Sequence, residues 1–214
     1  MYKMILDTSS QILYIAFACE ENNEYKIIYE SISEGKNNHS DNLLKKIEEG
    51  LKINNLEVKD FSEIICGRGP GMYTGLRVSM TVAKMFSWSL GITLSTISSI
   101  DLLFSNYLNK DGIFACMLKA KKDYSYTKIF SVKNGKIEII KDEKFLLNQE
   151  FEGIINDKSF DKSFDKSFDL SSDLLLLDNN KIDISPINIC KYDYLRKEVT
   201  NIHALEPNYL REDI

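Results

Sequence analysis

The sequence predicts a mixed α/β protein of two lobes, on three observations. Strand-like apolar runs come in clusters, and the helical patterns between them connect strands rather than forming a block of their own. The strand pattern restarts after about residue 105, which suggests lobes at 1–105 and 106–214, each beginning with an antiparallel strand set. The length, 214 residues, suits one ordinary domain or two small lobes, and leaves enough chain to build a real core.

Each element has its own signal. Residues 4–6 are a short apolar run, and Asp7-Thr8-Ser9-Ser10 is a turn cluster. Residues 12–19 are strongly apolar and 25–32 alternate, so antiparallel hairpins are the economical arrangement. Ser40 reads as an N-cap and Asp41 suits a first turn, and Leu43, Leu44, Ile47 and Leu51 follow at helical spacing, predicting a helix over 41–52. A buried-type strand over 61–66 runs into Gly67-Arg68-Gly69-Pro70-Gly71-Met72-Tyr73-Thr74-Gly75. A helix over 76–90 follows, and Gly91 is its stop signal. Residues 92–97 form another strand, and Ser98 with Asp101 resembles a capping box before a short helix over 102–108. The second lobe reads as strands at 113–118 and 126–132, the hairpin dipeptide Asn134-Gly135, and strands at 137–140 and 174–177. Between the last two, Asp157-Lys158-Ser159-Phe160 recurs at 161–164 and 165–168. This period fits neither helix nor strand burial and predicts a surface insertion without function.

Composition narrows the function classes. Apolar residues are 43% and charged residues 28% of the chain, which excludes a disordered chain or a coiled coil. The net charge of −5 repels phosphate backbones, so any nucleic-acid contact has to come from a local basic patch. No apolar run reaches the ~18 residues of a membrane span, and Asp7 interrupts the N-terminus too early for a signal peptide, so a cytoplasmic protein is expected. The four cysteines are far apart with no C-x-x-C pair, as buried thiols in a reducing compartment would be. With two histidines and no His-Glu-x-x-His spacing, a histidine metal site is excluded, while carboxylates alone leave magnesium open.

Two segments could carry chemistry. The glycines of 67–75 stand between a strand and a helix, where backbone amides and the helix dipole can hold a phosphate or other anion; a tight strand-to-helix turn explains them equally. Candidate anion contacts there are Gly69, Gly71, Thr74 and Gly75, joined by Asp7, Thr8 and Ser9 of the first turn, which also read as ordinary turn residues. Arg77, expected in the first turn of its helix, opposes the dipole, so it either meets an anion or an acidic partner or is solvated. The helix over 76–90 is apolar on more than one face, which predicts burial in its own core and against a partner. No nucleophile and base stand at a recognisable spacing.

In Met4-Ile5-Leu6-Asp7-Thr8-Ser9, His39-Ser40, the string from Gly67 to Arg77, and Pro207-x-Tyr209-Leu210-Arg211, the chain resembles the TsaB family of bacterial tRNA threonylcarbamoyladenosine biosynthesis proteins. The resemblance is dense over 1–105, thin afterwards, and resumes at 204–211. It implies an actin-like ATPase fold with two ribonuclease-H-type lobes. It also implies a non-catalytic subunit that pairs with a TsaD-type transferase subunit, is joined by a TsaE-type ATPase, and meets tRNA through that complex. No cofactor is expected on this chain; ATP or ADP and magnesium are expected on the partner subunits. In such a pairing the two long helices of the first lobe form the subunit contact. The resemblance therefore marks Leu43, Leu44 and Ile47 on the first helix, and Tyr73, Leu76, Arg77, Val78, Val82 and Met85 around the second, with Val78, Val82 and Met85 on its outer face. The same face predicts a homodimer when the partner is absent. The rival readings are a stand-alone actin-like-fold ATPase or kinase, a glycoprotease-type metallopeptidase, and a ribonuclease-H-type nucleic-acid module. The missing histidine pair, the absence of a glycine after Asp7 and the charge of −5 argue against them. One departure is Lys119-Ala120-Lys121-Lys122-Asp123-Tyr124, which stands where the family carries an Asp-Ala-Arg stretch. It places a basic spot on an acidic protein, able to touch RNA or an acidic partner, or simply solvated.

Overall fold

The computed structural model describes residues 1–34, 39–157 and 174–210, arranged as two compact units: Met1–Leu102 with Ser185–Tyr209, and the described residues of Leu103–Ile184 with Leu210. The tail that the sequence reading placed in the second lobe thus returns to the first over most of its length. The tetrapeptide repeat lies outside the described residues from 158 onward.

The first unit is built on a six-stranded sheet. Strands β1 (Tyr2–Asp7), β2 (Ile12–Glu21) and β3 (Glu24–Glu34) form the expected antiparallel meander. β4 (Phe61–Gly67) and β5 (Thr93–Ile97) add in parallel beside β1, and β10 (Arg196–Glu198) closes the far edge against β5. The strand order is β3-β2-β1-β4-β5-β10, with the antiparallel meander on one side of β1 and the parallel pair on the other. Residues alternate across the sheet, so Met4 and Leu6 of β1, Leu13, Ile15 and Phe17 of β2, and Ile64 and Cys66 of β4 share one face. Two helices cover that face: α1 (His39–Asn54), through Leu43 and Ile47, and α2 (Tyr73–Leu90), through Met80, Val82 and Ala83. The short helix α5 (Pro186–Lys191), capped by Ser185, packs on β2 and β3 from the other side, with Cys190 near Tyr14.

The second unit repeats this construction with four strands. β6 (Gly112–Lys121), β7 (Tyr124–Lys133) and β8 (Lys136–Leu147) form a meander, and β9 (Leu174–Leu177) runs parallel beside β6. Asn134 and Gly135 take φ of 50° and 75° between β7 and β8, the left-handed pair a tight hairpin needs. Helix α4 (Asn148–Asn156) lays Phe151 on Ile113, Ala115 and Ile129.

Several boundaries differ from the sequence reading. α2 begins at Tyr73, so Gly75 lies inside its first turn and Arg77 is its fifth residue, beyond the first turn where it was expected. Ser40 is the second residue of α1 rather than its cap. The helix expected over 102–108 is α3 (Ser99–Leu103) followed by a 3₁₀ turn at Ser105–Tyr107; the Asp101 amide donates to Ser98 Oγ at 3.4 Å, half of the expected box. α4, α5 and β10 escaped sequence analysis because they are nine, six and three residues long, too short for a periodic signal. No helix among the described residues is long and apolar enough to cross a membrane.

Charge fixes β10 where apolar burial cannot. Glu63 on β4 takes Lys3 Nζ at 3.0 Å and Arg196 Nε at 3.4 Å, and all three side chains are largely buried. Arg196 also donates to the carbonyls of Ile189 and Cys190 at 2.7 and 2.8 Å and pairs with Asp193. Burial alone would raise the Glu63 carboxyl pKa, but the Ser95 hydroxyl, Arg196 and Lys3 outweigh it and hold the carboxyl below its ordinary value. A depressed carboxylate pKa stabilises the fold above the unfolded value, about pH 4.3, and that contribution is lost as pH falls through the folded value. Glu63→Gln is therefore expected to lower stability at neutral pH and flatten its decline in acid. Parallel pH curves from chemical denaturation would contradict this.

Candidate functional site

The two loops singled out in the sequence meet at the ends of β1 and β4, and protein atoms fill the space between them. Asp7 is fully buried. Its Oδ1 accepts from the Ser9 amide at 2.9 Å and Ser9 Oγ at 2.7 Å, and its Oδ2 accepts from Ser99 Oγ at 2.8 Å. Ser99 Oγ in turn accepts from the Gly69 amide at 3.0 Å. Thr8 Oγ1 donates to the Gly75 carbonyl at 2.6 Å and accepts from the Ser79 amide at 3.2 Å, tying the first turn to α2. The Met72 amide donates to the Ser9 carbonyl at 2.6 Å.

This geometry explains the glycines by close approach. A Cβ on Gly67 would stand 1.7 Å from Asp7 Oδ2, and one on Gly75 would stand 1.9 Å from the Thr8 carbonyl oxygen. Gly69 and Gly71 meet Asn208 and Ser9 backbone in the same way. Among the expected anion contacts, Asp7, Thr8 and Ser9 are buried in this knot and Thr74 is exposed on α2. The bonds they make are those of a loop junction that fixes where α2 starts.

Once its start is fixed, α2 presents a definite outer face. Leu76, Val82 and Ala83 turn inward; Val82 is only 9% exposed, and Leu43 and Ile47 of α1 are likewise core. The expectation that Val82 lies on the outer face is corrected. The apolar positions of α2 cover more than half its circumference, and spacing alone cannot say which edge faces the sheet. Val78 is half-buried against the core. The outer face holds Tyr73, Arg77 and Met85 from the expected set, and Leu44 is exposed on α1. The expected contact set omits Met72, Trp88 and Leu90; Trp88 lies off the core stripe of the sequence pattern, as expected, and is 67% exposed, while Leu90, expected in that stripe, is exposed at the helix end. The single tryptophan of the chain at helical spacing from Met85 and Thr81 was the signal available.

A strap formed by residues 203–209 lies along one side of this helix. Lys84 Nζ donates to the carbonyls of His203 and Leu205 at 3.3 and 3.0 Å. The Asn208 amide donates to the Arg68 carbonyl at 2.8 Å, and Arg68 Nε donates to the Glu206 carbonyl at 3.4 Å. At the strap's end Tyr209 stacks on Tyr73 with ring centroids 4.9 Å apart. Arg77 Nε donates to Tyr209 Oη at 2.9 Å while its guanidinium sits 4.2 Å over Tyr73. This explains why a cation is tolerated early in α2. Since these contacts are exposed, Tyr209→Ala is expected to leave the unfolding midpoint within a degree or so while speeding protease cleavage within 203–209 about tenfold. Unchanged cleavage would show that the aromatic end does not hold the strap.

The reactive groups are held quiet. Burial pushes the Cys66 and Cys190 thiols up to about 12, so neither is a thiolate at neutral pH. His203 lies edge-on to Trp88 with ring centroids 5.8 Å apart. Among the described residues no three His, Cys, Asp or Glu side chains converge as metal ligands.

Comparison with known proteins adds descent to this geometry. The family model described as TsaD, tRNA N6-adenosine threonylcarbamoyltransferase, matches residues 26–178. The tRNA threonylcarbamoyladenosine biosynthesis protein TsaB of Bacillus subtilis strain 168 is 33% identical over 145 residues, 67% of this chain and 62% of that protein. The TsaB of Buchnera aphidicola subsp. Baizongia pistaciae is 36% identical over 103 residues, 45% of this chain and 44% of that one. The matched stretch spans at most about three fifths of the length of the curated relatives. Among solved structures, YeaZ from Pseudomonas aeruginosa superposes with a TM-score of 0.71 over 98% of this chain and 99% of its own, at 15% identity, which shows a shared fold.

Proposed function

The chain belongs to the threonylcarbamoyladenosine family defined by the TsaD model, as a homologue of TsaB, and from that premise we propose that it is a scaffold subunit for tRNA modification. In this reading it does no chemistry itself. It binds a TsaD-type subunit, which carries out the transfer of a threonylcarbamoyl group to the adenosine beside the tRNA anticodon. ATP or ADP and magnesium reside on that subunit and on a TsaE-type ATPase, and the assembly is cytoplasmic.

The observation that carries the reading is the outer face of α2. Tyr73, Met85 and Trp88 are large apolar side chains left exposed along the side of α2 turned away from a core-facing side already spent on the sheet, and Met72 and Leu90 are exposed at its two ends. Leu44 and Ile53 extend the apolar surface on the neighbouring α1. Aromatic residues and methionine are the side chains enriched at the centres of interfaces. A partner of the same family would present equivalent helices, so the contact is a helical bundle, and without that partner the chain is expected to pair with itself. Mixing the purified chain with a TsaD-type subunit should give a one-to-one complex on size-exclusion chromatography with light scattering, and the chain alone should run as a dimer. Co-elution failing at micromolar concentration would overturn the scaffold reading.

A further inference from the structure

The hairpin joining β6 and β7 in the second unit concentrates positive charge beside aromatic rings. Lys119 and Lys121 on the last residues of β6 and Lys122 in the turn are all exposed, and Asp123 turns the chain with φ of 65°. The Lys119 amide donates to Asn179 Oδ1 at 2.7 Å, which anchors the root of the turn. Next to the tip, Tyr124 of β7 and Phe145 of β8 stack with centroids 4.9 Å apart and planes 9° apart, and Tyr126 tilts against Phe145 at 5.4 Å. Lys121 Nζ lies 5.1 Å from the Tyr124 ring and 5.9 Å from the Phe145 ring, so the ammonium is placed against the ladder.

We propose that this hairpin is an RNA contact, with the lysines on successive phosphates and Tyr124 as the adjoining surface for an unpaired base. In a chain of net charge −5, an RNA site has to be local, and three lysines within four residues make it so. Lysine meets phosphate as a point charge without the fixed geometry of a bidentate pair, and the cations of this tip are all lysine, which suits contact with a nucleic-acid backbone rather than readout of base edges. Lysines flanking stacked rings are how proteins hold unpaired nucleotides. The proposal deepens the scaffold reading, from which it takes tRNA as the RNA to try.

The test is fluorescence anisotropy of an unmodified tRNA transcript with the full 214-residue chain alone, repeated across salt concentrations. Lys121→Glu/Lys122→Glu should weaken binding about tenfold and reduce the salt slope by roughly 1.5–2, the loss of two phosphate contacts. Tyr124→Ala should weaken it several-fold with the slope kept, and Lys136→Glu/Lys141→Glu, elsewhere on β8, should change neither. Lys121→Gln/Lys122→Gln provides the same reading if the reversed charges disturb folding. Wild-type chain without measurable tRNA binding, or a double variant with unchanged affinity and slope, would overturn the proposal. So would loss of TsaD-type subunit binding with tRNA binding intact, which assigns the hairpin to a protein surface. Because complex formation is measured separately, failure here leaves the scaffold reading to stand or fall on its own test.

Discussion

Gly67→Ala is expected to destabilise the first unit by more than about 3 kcal/mol and to leave little folded protein at 37 °C. The methyl group would stand 1.7 Å from the Asp7 carboxylate, which neither strand can yield without breaking the bonds to Ser9 and Ser99. Moving Asp7 would strand a buried charge, which is among the costliest rearrangements available to a core. The comparison is Gly153→Ala in α4, where a Cβ meets nothing within 4 Å. There alanine should be neutral or stabilise by up to about 1 kcal/mol through helix propensity. Urea denaturation of both variants decides it, and a Gly67→Ala protein within 1 kcal/mol or so of wild type would mean that the knot is looser than described.

The second large effect separates folding from binding on one helix. Met85→Glu/Trp88→Glu places two charges on the outer face, where both wild-type side chains are exposed. The variant should fold with an unchanged circular dichroism spectrum, while binding to a TsaD-type subunit weakens at least about a hundredfold, as for loss of central aromatic anchors. Val82→Glu, one turn away but buried in the core of the first unit, should instead cost several kcal/mol of stability. If Val82→Glu folds normally, or the double variant binds as tightly as wild type, the assignment of inner and outer faces is wrong.

How much of this was legible follows from where the physical signal lies. The meander, the two long helices and the restart of the pattern after residue 105 were readable because each element carries a run of apolar residues at its own period. β10 was not readable, because Arg196-Lys197-Glu198 is held by ion pairs and one strand edge, and a charged tripeptide has no periodic signature. The glycine string was conspicuous but ambiguous. Glycine marks a close approach, and only the coordinates show that Asp7, Thr8, Ser9 and Asn208 of the same chain approach Gly67, Gly75, Gly71 and Gly69. The family resemblance drew attention to α2, and residue choice on its outer face failed at Val82, which is buried. Valine at that spacing satisfies either face of a helix with a broad apolar surface, and burial alone distinguishes them.

The central claim, that the chain acts by holding a catalytic partner rather than by its own chemistry, is met most directly by a reconstituted modification assay. Unmodified tRNA, ATP, magnesium and the adenylate of the threonylcarbamoyl group would be incubated with this chain alone, with TsaD-type and TsaE-type subunits alone, and with all three. Modified adenosine would be read by mass spectrometry of the digested tRNA. The account predicts product only when all three proteins are present, and its loss when Met85→Glu/Trp88→Glu replaces the wild-type chain. Product formed by this chain without the TsaD-type subunit, or undiminished product when this chain is left out, would contradict it.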